Sequence, residues 1–146
     1  MYKKVKEVRA LIIANDRILA ATTFDGGRVT CDLPKGLVLP MEDSVEAIKR
    51  IVLQTTHYEM VDIDPISYNA TFTRLAPGPI EGCGTETVDV MLYKGSAGVK
   101  ESVYHAISKA AWLTPRQMLT ELKNHDRGAG FDPMDEFVLQ FIERLL

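Results

Sequence analysis

Four residues in one stretch of the chain carry the charge and backbone freedom that handling a phosphate requires: Lys35, Gly36, Glu42 and Arg50. Glycine lets a backbone approach a ligand closely, and lysine supplies a point charge to a phosphate oxygen. The same two residues equally make a tight turn with a solvated lysine. Glu42 and Arg50 are an acid and a base able to brace one segment against another, and such a pair perturbs titration whether or not it does chemistry. Further on, Arg74 and Tyr68 sit on a strand-like segment with Phe72, where an aromatic can stack on a base while the arginine meets a phosphate. Tyr68 and Phe72 share parity, as core residues also do.

These residues need elements to position them. Leu33 to Pro40 reads as a short loop punctuated by Pro34, Gly36 and Pro40, running into a helix that opens at Asp43 or Ser44. Asp43 followed by Glu46 has the form of a capping box. Val45, Ile48, Val52 and Thr55 recur at helical spacing, with Ala47 and Ile51 widening the buried stripe.

The stretch Leu33 to Tyr58 resembles the Nudix box: Gly, five residues, Glu, seven residues, then Arg-Glu, an aliphatic, any residue, Glu-Glu, any residue, Gly and an aliphatic. Gly36, Glu42, Arg50 and Val52 match in register, and Leu33 to Gly36 is similar to the family's lead-in. The resemblance implies an α/β fold, an α/β/α sandwich with a mixed β-sheet between helices, and it implies that Glu42 and Arg50 brace loop against helix. Where the family holds magnesium with three helix glutamates, this chain has Ile51, Gln54 and Thr55, and the box glycine is His57. Mg²⁺ prefers carboxylate and phosphate oxygens. Isoleucine offers none, glutamine a neutral carbonyl and threonine a weak hydroxyl.

A catalytic metal contributes several kcal/mol of transition-state stabilisation, and about 1.4 kcal/mol is a factor of ten in rate. Orthodox hydrolysis is therefore expected to be orders of magnitude slower or absent. The resulting expectation is a Nudix-fold protein with a degraded box that binds a nucleotide, another phosphorylated ligand or a partner protein without hydrolysing it, and that needs no cofactor. The alternative is a hydrolase dependent on Mg²⁺ or Mn²⁺, cleaving a nucleoside diphosphate linked to another moiety, its metal site rebuilt from Gln54, Glu42, Glu86 or Asp89. Some family members complete a metal site from the region of Glu86 and Asp89. An exposed charged face is the plainer reading of these two and of Glu46, Glu59, Asp62 and Asp64. His57, His105 and His125 share no metal-binding spacing.

The whole chain bounds these readings. Its 146 residues suit one domain, spanning 1–146, and 46% hydrophobic with 25% charged residues is ordinary globular composition. A formal net charge of −3 argues against a nucleic-acid partner, which demands a basic footprint; recognition of a short RNA is the exception to test. A small phosphorylated ligand, a protein partner and a homodimer remain compatible with it. Cys31 and Cys83 form no metal or redox motif, and no stretch approaches a membrane span, so a cytoplasmic setting is expected.

In order, Val5 to Ala14 and Ile18 to Phe24 read as a hairpin turning at Asn15-Asp16, with a short strand at Val29 to Leu33. After the helix come a strand from Ile66 to Arg74, a Pro/Gly-rich loop from Leu75 to Thr85, and a strand from Glu86 to Lys94. Gly95 to Gly98 reads as a turn, Val99 to Lys109 is ambiguous, and Ala110 to Leu113 is the last strand. Thr114-Pro115 and Asp132-Pro133 each open a helix. The final one presents Met134, Phe137, Val138, Phe141, Ile142 and Leu145 as an apolar stripe.

Overall fold

The structure, a computed structural model, describes residues 3–25, 27–75, 85–100, 110–123 and 133–144. Strands β1 (Lys3–Ala14), β2 (Arg17–Asp25), β3 (Arg28–Asp32) and β4 (Lys35–Leu37) precede helix α1 (Ser44–Thr56). There follow β5 (Tyr58–Leu75), β6 (Thr85–Lys100), β7 (Ala110–Leu113), α2 (Pro115–Lys123) and α3 (Pro133–Glu143). The sheet is mixed and runs β3-β2-β1-β6-β5, with β4 added on β1 and β7 on β2. β1 lies parallel to β6 from Lys3 to Ile12 and antiparallel to β2 and β4.

Strand alternation divides the interior in two. Val8, Ala10 and Ile12 of β1 pack with Ala47, Ile48, Ile51 and Val52 of α1, whereas Leu11 packs with Val88, Val90 and Leu92 of β6 and with residues of α2 and α3. The result is an α/β/α sandwich, because successive side chains of a strand point to opposite faces and each face is apolar enough to need a helix. Val88, Val90 and Leu92 separate from Asp89, Met91 and Tyr93 as alternation requires. Trp112 joins the α1 side: its indole N–H donates to the Tyr58 hydroxyl at 3.1 Å, and the two rings meet edge to face.

The β1–β2 hairpin turns through Asn15 and Asp16, both at positive φ (51° and 60°), a conformation in which these two residue types are enriched. α2 begins as its sequence predicts, with a reciprocal cap in which the Gln117 N–H donates to the Thr114 hydroxyl and the Thr114 N–H to the Gln117 side chain. Met134, Val138 and Ile142 of α3 are buried, with Phe137 and Phe141 packed beside them.

Several boundaries differ from the sequence expectation. Lys35–Leu37, expected as loop, is a strand. β5 begins at Tyr58 and takes in residues 58–65 through three register irregularities, with Asp62 at positive φ. Gly95 to Gly98 is strand, not turn, pairing with Met60 and Val61 of β5; a side chain at Gly95 would come within 2.7 Å of Met60 Cε and 2.9 Å of the Val61 carbonyl, so glycine is there for space. Asp43 does stand at the N-cap of α1, but its side chain makes no capping hydrogen bond, so the Asp43–Glu46 box is absent. The loop expected beyond Leu75, most of the ambiguous segment before Ala110, Cys83, His105, His125, Asp132 and Leu145 lie outside the described residues. No helix among the described residues is long and apolar enough to cross a membrane.

Candidate functional site

The box loop is fastened to α1 through one arginine. Arg50 Nε and Nη2 donate to the two carboxylate oxygens of Glu42, each at 2.9 Å, and Nη2 also donates to the Leu37 carbonyl at 3.0 Å. The Leu39 N–H donates to Glu42 Oε1 at 3.0 Å. Both oxygens of Glu42 are thereby engaged. The Arg50 hydrogen bond, reinforced by the Leu39 N–H, holds the Glu42 carboxyl at about 2, well below the usual carboxylate range. The pair joins loop and helix as the resemblance implies.

Each helix position that would hold a cation is committed elsewhere. Ile51 is only 3% exposed and packs in the core beneath α1. Its Cδ1 and Cγ1 lie 2.8 and 3.0 Å from where a Gly36 Cβ would stand. Gly36 therefore does not offer backbone for the close approach of a phosphate on that face; it makes room for Ile51. The Gln54 side-chain oxygen accepts from Arg50 Nη1 at 3.3 Å, and the Thr55 hydroxyl donates to the Ile51 carbonyl at 2.8 Å. These three positions do not fit a divalent cation, since one has no donor atom and two have neutral groups already engaged. His57, in the box glycine's place, takes that glycine's backbone role: it ends α1 at φ 65°, its N–H donating to the Leu53 carbonyl.

Among the described residues, Glu86 and Asp89 do not converge on this helix. Glu86 is buried, against the expectation of an exposed face, and shares its side of β6 with Val88. Asp89 points to the opposite side, where it accepts from the Thr71 hydroxyl at 2.8 Å and pairs with Lys4 at 3.3 Å; both partners lower its pKa, Thr71 the more. Among the described residues no group of three or more His, Cys, Asp or Glu is arranged to hold a metal ion.

The remaining candidates are dispersed. Lys35 pairs with Asp32 at 3.0 Å. Arg74 stands opposite Glu86 in the β5–β6 ladder, and Tyr68 lies on β5 within the irregular register between Pro65 and Asn69. Phe72 packs against the core on the α2/α3 side. Sequence reading passed over Glu7 and Arg9, whose side chains pair inside the protein with Arg9 Nε 2.8 Å from Glu7 Oε2. The signal was present: two charges at alternate positions of a strand whose same-parity neighbours, Val5 and Leu11, are core residues.

A mixed sheet between helices, with a Gly36–Glu42–Arg50 loop-helix at its side, is the Nudix fold. Solved structures agree. A Nudix hydrolase from Nitrosomonas europaea is 18% identical at a TM-score of 0.67, covering 97% of this chain and 90% of that one. A MutT protein from Bacillus halodurans is 12% identical at 0.63, covering 93% and 80%. An Ap4A hydrolase from C. elegans is 16% identical at 0.57, covering all of both chains. At such identities the likeness is one of fold. A scan against protein-family models finds no match, and a comparison with curated proteins finds none.

Proposed function

We propose that this chain uses the Nudix frame for binding and not for hydrolysis, its ligand being a nucleotide or a related phosphorylated molecule. The observation that carries this reading is the commitment of Ile51, Gln54 and Thr55 to core packing, to Arg50 and to the helix backbone. Loss of carboxylates alone leaves a vacancy that another residue can fill; here Ile51 packs beneath Gly36 while Gln54 and Thr55 are engaged within α1 itself. The similarity to an Ap4A hydrolase supports a nucleoside polyphosphate as the class of ligand. The acidic balance of the chain disfavours a long nucleic acid, and a cytoplasmic setting fits the reading.

A panel of nucleoside-diphosphate derivatives and dinucleoside polyphosphates, incubated with Mg²⁺ and with Mn²⁺, is expected to release no monophosphate. Robust release would end the proposal. Returning glutamate to positions 51, 54 and 55 together is expected to raise Mn²⁺ affinity while lowering the melting temperature, because a carboxylate would then replace the buried Ile51 side chain.

A further inference from the structure

The outer strands of the sheet are guarded unequally. β3 has five residues, and its Cys31 N–H donates to Glu121 Oε1 of α2 at 3.0 Å. β4 has three residues, its Leu37 carbonyl accepting from Arg50, and β7 has four. β5 ends the strand order with 18 residues and pairs, among the described residues, with β6. Its two halves differ. Between Tyr58 and Asn69 the register breaks three times, Asp62 stands at φ 54°, and Glu59, Asp62 and Asp64 are exposed acids. Bulges and charges of this kind keep an edge from pairing with a further strand. From Asn69 to Leu75 the strand runs instead in unbroken register against Met91 to Thr85. Among the described residues, no backbone hydrogen bond from a loop covers this half.

We propose that two copies of the chain pair through this half of β5, antiparallel and about a two-fold axis at Phe72, so that the sheets of both copies become one. The choice of a second copy as occupant comes from the segment itself, Asn-Ala-Thr-Phe-Thr-Arg-Leu, which complements its own reverse. About that axis Thr71 stands opposite the partner's Thr73, Ala70 opposite the partner's Arg74, and Phe72 opposite the partner's Phe72, an isologous arrangement. Threonine pairs and aromatic pairs are favourable across strands, and no like charges oppose each other. Phe72 packs against the core on the α2/α3 side and is yet only partly buried, as an aromatic at an uncovered edge must be. A second copy completes its cover. Thr71 and Thr73 are exposed on the other face of the strand. The acidic, bulged half lies outside the paired segment, so the seam is confined to residues 69–75. This interface stands whether or not the chain binds a phosphorylated ligand.

Sedimentation velocity at increasing protein concentration is expected to show a monomer–dimer equilibrium, with amide hydrogen exchange slowing at residues 70–75 as the dimer forms and not at residues 59–64. Thr71→Lys/Thr73→Lys sets lysine opposite the partner's lysine twice and should weaken the dimer by about tenfold or more. Thr71→Lys/Thr73→Asp sets each lysine opposite the partner's aspartate instead and should restore the parent's affinity. General disturbance of the surface would make both variants fail alike. Both positions are exposed, and a lysine at 71 lies beside Asp89, so the fold tolerates these changes; if either variant does not fold, exchange in the parent protein decides. A parent protein that stays monomeric leaves the edge to some other occupant and overturns the proposal. So does a dimer indifferent to the double lysine variant, one not restored by the lysine–aspartate variant, or exchange protection located on another surface.

Discussion

Two glutamate–arginine pairs in this chain have the same chemistry and opposite surroundings. Glu42 and Arg50 meet at the rim of α1 with side chains 16% and 28% exposed, and every oxygen and most of the guanidinium is spent on tying a loop to a helix. Glu7 and Arg9 meet inside the sheet, between the β4 ladder and the apolar residues of β6. At the rim, water solvates either partner if the other is lost, so the pair costs little and fastens the loop. In the interior the charges lose their hydration, and removing one costs the other its 2.8 Å partner. The rim pair secures a loop to a helix; the interior pair joins alternate residues of one strand.

The largest expected effect separates the two. Arg9→Ala removes the buried 2.8 Å partner of Glu7 and should destabilise the fold by about 3–5 kcal/mol in urea titration, whereas Arg50→Ala should shift the midpoint far less. Equal losses would remove the distinction. Next comes the packing that lies behind the rim pair: Ile51→Ala should cost about 2–5 kcal/mol, since it opens a cavity between α1 and Gly36 of β4. From the other side of the same contact, Gly36→Ala should cost about 1–3 kcal/mol by overpacking. Adding Ile51→Val should recover part of that loss, and a strictly additive double variant would show that the contact is not the cause.

The rim pair also predicts a pH dependence. The folded-state pKa of Glu42, about 2, is depressed from 4.5, so its contribution is complete above about 4.5 and disappears as pH falls toward 2. The stability gap between the parent protein and Glu42→Gln, measured by urea unfolding, should be widest near neutrality and close across that window. The smallest effect concerns Met41, next to Glu42 in the box loop, which holds φ at 69° with its side chain fully exposed. Met41→Gly relieves left-handed strain and should raise stability by up to about 1 kcal/mol.

Much of the frame was readable from residue order. The α1 stripe, the Asn15-Asp16 turn and the Thr114 cap depend on side chains acting on their own neighbourhood, and local rules predict them. The long β5–β6 hairpin was underread, because Gly95 and Gly98 look like turn residues and only the Met60, Glu59 and Val61 groups packed over them require their small size. Gly36 stayed open between a ligand contact and a turn for a related reason. Its missing side chain suits a ligand and suits Ile51 equally, and which of them fills the space is decided by a residue fifteen positions away.

By itself the sequence determined the Nudix frame, the partnership of Glu42 with Arg50, and the absence of carboxylates from positions 51, 54 and 55, because each is a matter of residue type at fixed spacing. Only the tertiary structure decided that those three positions are already engaged, that Glu86 is buried, and that Arg9 stands opposite Lys35 in the β1–β4 ladder. Such juxtapositions come from strand register and helix docking, which bring together residues that no local pattern relates.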